Sequence, residues 1–190
     1  MNRPNIVLIF PDQWRGDCLS SQGHPGVRTP HVDTLAYEGV TFTHAYSPAP
    51  TCIASRACLA TGQTASTCGR LGYRDGVPWT YDQTLMHCLA EAGYQTINVG
   101  KTHFFPQEEK LGFEISRLYD PQRHTPGFLS EYHRWLAEKT GGCIRDTAHD
   151  FSNNTWVPLP WTADEHLHPT NWTARTALEE VAQRDPDRPL

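Results

Sequence analysis

The chain has 190 residues, 38% of them hydrophobic, and a formal net charge of −5. That length suffices for one domain with a core, and the acidic balance argues against the basic face of a nucleic-acid binder. No apolar run is long enough for a membrane span or a signal-peptide core, so the expected location is cytoplasmic as given, or periplasmic or secreted if a leader was removed.

Ile6 to Phe10 is a short apolar run and reads, with Asn5, as a buried strand ending at Pro11-Asp12-Gln13. Thr29-Pro30 opens a helix with a cap and a proline in its first turn, and Gly39 closes it. Val40 to Tyr46 alternates as a second strand. Pro48 and Pro50 disfavour a helix before Thr51, a fitting N-cap for a helix that begins at Cys52 and stops at Gly62. Thr84 to Ala92 is helical, with Leu85, Leu89 and Ala92 on one face and Gly93 beyond it. Tyr94 to Val99 is a third strand, ending at Gly100-Lys101-Thr102-His103.

The second half is less regular. Phe128 to Lys139 predicts a helix carrying Tyr132, Trp135 and Leu136. Residues 141–169 read as loops rich in Trp, Pro and Asn, and a last helix runs from about Thr170 to Gln183. Alternating strands and helices imply an α/β fold with a mainly parallel sheet flanked by helices.

Cys52 and Arg56 stand at i and i+4, one turn apart on the same helix face. The thiol lies at the positive end of the helix with a cation beside it, surroundings that favour an anion and make a thiol reactive. The pair can equally be a structural thiol beside a surface arginine. The six cysteines contain no CxxC pair, which argues against a zinc ribbon. Glu165-His166-Leu167-His168 lacks the spacing of a helical zinc motif.

Sites in open α/β sheets gather beyond the carboxyl ends of the strands. The first strand delivers Asp12 and Gln13, both oxygen donors. The third delivers Lys101 and His103, alternate residues able to point the same way. Singly, Asp12 can be a helix cap, Lys101 a solvated cation and His103 a loop histidine. Together with Cys52 and Arg56 at one sheet end they form a chemical constellation.

Cys52-Ile53-Ala54-Ser55-Arg56, followed by Leu59-Ala60-Thr61-Gly62, resembles the activation motif of type I sulfatases, formylglycine-dependent members of the alkaline-phosphatase-like superfamily. PNIVLIFPDQ resembles the family's first strand and metal loop, and TPHVDTLAYEGVTFTHAY its first helix and second strand. LAEAGYQTINVGKTHF resembles the stretch with its lysine and histidine, and HPTNWTARTALEEV a later helix of some bacterial members.

The resemblance implies a sulfuric ester hydrolase. Cys52 would be oxidised to formylglycine by a separate maturation enzyme, and a hydroxyl of the hydrated aldehyde would attack sulfur. Arg56 would hold the hydrate and steady the anionic centre. Lys101 would bind a sulfate oxygen or the hydrate, and His103 would act as a base in sulfate release. Asp12 and Gln13, with an oxygen from converted residue 52, would bind one calcium ion. The substrate implied is a small-molecule or carbohydrate sulfate ester, with no nucleic-acid or membrane partner.

Many sulfatases have two aspartates where this chain has Asp12-Gln13. The family's further metal and substrate ligands belong to a downstream half with no counterpart after Phe113. The expected organisation is therefore the N-terminal part of a sulfatase catalytic domain, truncated at the C-terminus. Residues 1–113 form the sheet core with the activation motif, and 114–190 a loop-rich insertion and helices. A phosphonate monoester or phosphodiester hydrolase of the same superfamily, and an inactive fragment, are the alternatives. A cysteine phosphatase fits poorly, because its loop places five residues between Cys and Arg.

Overall fold

The computed structural model describes residues 3–120, 125–144 and 157–190. Much of the stretch read as loops after Gly141 lies outside the described residues. The chain forms two compact units, Val7–Pro48 and a larger one of Met1–Ile6 with Ala49–Leu190.

In the smaller unit, α1 (Pro30–Glu38) has Thr29 at its N-cap, Pro30 in the first turn and Gly39 at its end, as the sequence predicts. Its start is tied to a 3-10 turn at Ser20–Gln22. The Ser20 hydroxyl donates to Asp33 Oδ2 at 2.6 Å, and the Ser21 amide donates to Asp33 Oδ1 at 3.1 Å. That hydroxyl holds the Asp33 carboxyl below its ordinary range. None of residues 7–48 is buried.

The strands expected at 5–10 and 40–46 do not form. Strand character needs a partner backbone, whatever the side-chain pattern. In the first run the Ile6 amide donates to Leu190 O at 2.7 Å. Val7, Leu8 and Ile9 stay exposed.

The larger unit holds α2 (Cys52–Thr61), α3 (Leu85–Glu91), β1 (Ile97–Gly100), β2 (Ile115–Leu118), α4 (Glu131–Thr140) and α5 (Pro169–Ala182). Small residues let α2 sit deep: Ile53, Ala54, Ala57, Cys58 and Ala60 are all buried. Gly62 ends it with φ +67°, its amide donating to Cys58 O at 2.9 Å. Ile53, Ala57 and Ala60 share a core with Trp79, Met86, Phe104 and Leu111. Each large apolar side chain there contributes on the order of 2 kcal/mol by leaving water.

Thr84 caps α3 by accepting from the His87 amide, and its hydroxyl donates to Leu111 O at 2.6 Å. The buried face of α3 differs from the expected one. Met86 is inside, whereas Leu85 is 44% exposed and Ala92 is also exposed. The cause is the 111–112 segment, which crosses at Met86. Gly112 has φ +100°, and a β-carbon there would lie 2.8 Å from the Met86 carbonyl carbon.

The third expected strand is present, shifted to β1. It pairs in parallel with β2, which the sequence reading did not anticipate; the register runs from Ile97 opposite Ile115 to Gly100 opposite Leu118. α5 packs on β1 and α4 on β2. Tyr132 and Leu136 of α4, Leu167 of a short 3-10 turn at Glu165–Leu167 and Trp172 of α5 form a second core, with Val99 and Tyr119 against it. α4 begins three residues later than expected because Ser130 supplies its cap, accepting from the His133 amide. His168 caps α5 by accepting from the Thr170 amide at 3.1 Å, and its ring meets Trp161 edge-on.

Candidate active site

Parallel pairing decides what meets at the sheet end. Gly100 and Leu118 lie opposite each other, so the two strands release their following residues side by side. β1 delivers Lys101, Thr102 and His103, and β2 delivers Tyr119 and Asp120. The Tyr119 amide donates to Gly100 O at 3.2 Å. Gly100 has φ +112°, which lets the chain swing out of the strand there.

The Asp120 carboxylate closes this exit. Its Oδ2 accepts from the Thr102 amide at 3.0 Å, the Thr102 hydroxyl at 3.1 Å and the His103 amide at 2.9 Å. Asp120 is 1% exposed and His103 is 3% exposed. His103 has φ +65°, the left-handed region that side chains larger than glycine seldom adopt. Its Nε2 lies 3.8 Å from Asp75 Oδ2, and its ring meets Tyr73 edge-on at 5.8 Å between centroids.

α2 reaches this turn through Arg56, whose Nη1 donates to the Lys101 carbonyl at 2.6 Å. Cys52 occupies the first turn of the same helix and is half-buried. Thr51 is the N-cap residue, as expected, with extended backbone angles, but its side chain makes no cap hydrogen bond. Its Oγ1 is buried without a hydrogen-bond partner. The first amides of α2 therefore lack a side-chain cap, leaving the positive helix end beside residue 52. Cys58 differs from Cys52: it is 5% exposed, and burial first, then the neighbouring Cys68, pushes its thiol up.

The structure thus brings Arg56, Lys101 and His103 together, with Cys52 one helical turn from Arg56. Asp12 and Gln13 belong to the smaller unit, where both are exposed on a turn with Gln13 at φ +57°. A carboxylate and an amide carbonyl are the hard oxygen donors that calcium takes, but they are two of the six to eight it needs. Among the described residues no three His, Cys, Asp or Glu side chains are grouped to hold a metal. Asp120, Asp75 and Tyr73 escaped the sequence reading. Asp120 follows a strand only four residues long, Ile-Ser-Arg-Leu, too brief for its alternation to stand out.

A family model described as Sulfatase matches residues 4–140. The chain belongs to the sulfatase family. This sulfatase chain is 39% identical over 199 residues to an arylsulfatase of Clostridium perfringens, a match covering 99% of this chain and 41% of that protein. Its span is thus about two fifths of that relative's length. The phosphonate monoester hydrolase of Agrobacterium radiobacter superposes with a TM-score of 0.74 at 26% identity, covering 96% of this chain and 39% of that one. A protein solved in complex with its substrate, D-glucosamine-2-N,6-O-disulfate, gives a TM-score of 0.54 at 32% identity, covering 60% of this chain and 22% of that one. The α/β, alkaline-phosphatase-like class expected of this sulfatase chain is the class of these neighbours.

Proposed function

We propose that this chain provides the nucleophile-bearing part of a sulfuric ester hydrolase. The observation that carries the reading is the Arg56 bond to the Lys101 carbonyl, which joins the Cys52 helix to the Lys101–His103 turn. Converted to formylglycine by a maturation enzyme, residue 52 would supply the attacking hydroxyl.

Arg56 donates to the Lys101 carbonyl, which fixes the guanidinium plane, and a planar guanidinium is the side chain suited to a sulfate anion. Lys101 adds a positive charge beside it, where negative charge grows on the sulfate oxygens. His103, held by Asp120 and facing Asp75, takes and returns a proton during sulfate release. Asp12 and Gln13 would hold calcium, which when bound polarises the sulfate group. Calcium takes six to eight oxygens, so these two donors would be part of a larger ligand set.

A carbohydrate sulfate is the favoured substrate class, supported by the neighbour bound to a glucosamine disulfate. The second reading, a phosphonate monoester hydrolase, has the support of the 0.74 superposition. The test is to co-express the natural-length protein with a formylglycine-generating enzyme. An aryl sulfate, glucosamine 6-sulfate and a phenyl phosphonate monoester are then compared by kcat/KM. Sulfate esters ahead by tenfold or more, on the order of 1.4 kcal/mol in barrier, match the proposal. A preference for the phosphonate selects the second reading. Inactivity on all three with residue 52 converted overturns both.

A further inference from the structure

Asp120 belongs to neither the activation motif nor the Lys101–His103 segment, yet one of its oxygens accepts three hydrogen bonds from the latter. A buried carboxylate loses its hydration and must be compensated by donors. Here those donors include two consecutive backbone amides and a hydroxyl, within a segment that follows a glycine at φ +112° and contains a histidine at φ +65°. Two consecutive amides converge on one atom only when the chain bends sharply. The conformation that satisfies Asp120 is thus the one that keeps His103 in its unfavourable backbone region. The same bend directs the Lys101 carbonyl to Arg56 at 2.6 Å and buries the His103 ring beside Asp75 and Tyr73.

The alternative role, a plain structural carboxylate of the sheet end, fails to explain why the bonds fall on the segment bearing two candidate site residues. Parallel register explains how Asp120 gets there: β2 runs beside β1 and ends opposite Gly100. The carboxylate therefore lies behind the turn, on the sheet, while Arg56 reaches the turn from α2. The segment is gripped by an anion at its amides and by a cation at a carbonyl.

We propose that Asp120 is a positioning residue, whose buried carboxylate sets the backbone of the Lys101–His103 turn and so aligns Lys101 and His103 with the Cys52–Arg56 helix. It touches no reacting atom; it acts through the two residues it holds. The proposal rests on the sulfatase reading for its catalytic consequence, but not for its structural one.

The test uses Asp120→Asn and Asp120→Ala in the natural-length protein with residue 52 converted, with two readouts. The first is the kcat and KM split on an aryl sulfate. Misplacement by about 1 Å can cost on the order of 100-fold in rate, so Asp120→Ala should lose about 100-fold in kcat with KM changed less than about threefold. Asp120→Asn, which keeps an acceptor but not the charge, should recover part of that loss. Thr84→Ala, which removes a buried cap away from the turn, is the control and should lower thermal stability with kcat unchanged.

The second readout is amide hydrogen exchange at Thr102 and His103 in Asp120→Asn, measured on any variant that folds. It should accelerate by about tenfold or more, because hydrogen bonds to a charged acceptor are the strong ones. Unchanged exchange, or wild-type kcat in a folded Asp120→Asn, overturns the positioning role. Accelerated exchange in a protein that is inactive on sulfate esters even as wild type overturns the sulfatase reading and leaves the positioning role standing.

Discussion

Arg56 and Lys101 are 45 positions apart in the chain, and the guanidinium of one holds the backbone carbonyl of the other at 2.6 Å. The bond ties the helix that carries Cys52 to the backbone of the Lys101–His103 turn.

Removing the grip should be expensive for turnover. In the natural-length protein, Arg56→Ala should lower kcat by about 10²–10³-fold on a sulfate ester, the usual consequence of deleting one donor to a developing anion. Arg56→Lys should recover little, since a point charge cannot hold the carbonyl and an anion together in a planar fork. Steady-state kinetics checks this; a loss below about fivefold for Arg56→Ala would count against the assignment.

Gly112 is predicted to be intolerant for steric reasons. Its φ of +100° and the 2.8 Å approach to the Met86 carbonyl carbon leave no room for a methyl group against backbone. Gly112→Ala should destabilise the larger unit by about 1–3 kcal/mol, read as a lower midpoint in urea at unchanged slope. Gly16, with open space around it, should accept alanine without a comparable effect.

What could be read from the sequence divides along a physical line. Helix ends were legible because their signals are local: Thr29 before α1, Pro30 in its first turn and Gly62 after α2 all stand where expected. Strands were not, because a strand is made by its neighbour. Ile6 to Phe10 has the right composition and no ladder, while Ile115–Leu118 has a weak pattern and does form one. The α3 face was misread for a related reason, since Met86 is buried by a distant segment at Gly112 rather than by helical periodicity. Missing β2 meant missing Asp120. The motif residues Cys52, Arg56, Lys101 and His103 were legible through their resemblance to a family, and the contact between Arg56 and the Lys101 segment needed the fold.

The thiols should separate by reactivity. Cys88 and Cys143 are exposed, Cys52 is half-buried and Cys58 is buried. Burial also raises the Cys58 pKa, which depletes the thiolate that alkylates. In the folded chain near pH 7.5, iodoacetamide should label Cys88 and Cys143 first and Cys58 last, as followed by peptide mass mapping. Labelling of Cys58 as fast as Cys88 would contradict the burial of α2.

Glu114 should give a small, pH-dependent contribution. Its hydrogen bonds to Arg188 hold its carboxyl below the ordinary glutamate range. A depressed folded pKa means stability that is present above the unfolded value of about 4.3 and lost as the pH falls through the lower folded value. The pair is more than a third exposed on the glutamate side, so Glu114→Gln should cost no more than about 3 °C in Tm at neutral pH. The difference from wild type should shrink in high salt and vanish in acid below the folded pKa.

Residue 52 decides whether the chain carries a sulfatase nucleophile. Co-expression with a formylglycine-generating enzyme, followed by mass analysis of the peptide spanning Thr51 to Arg56, addresses it most directly. The prediction is conversion of Cys52 to formylglycine, with Cys58 still a thiol. A Cys52 peptide left unmodified, under conditions that convert a control sulfatase, would contradict it.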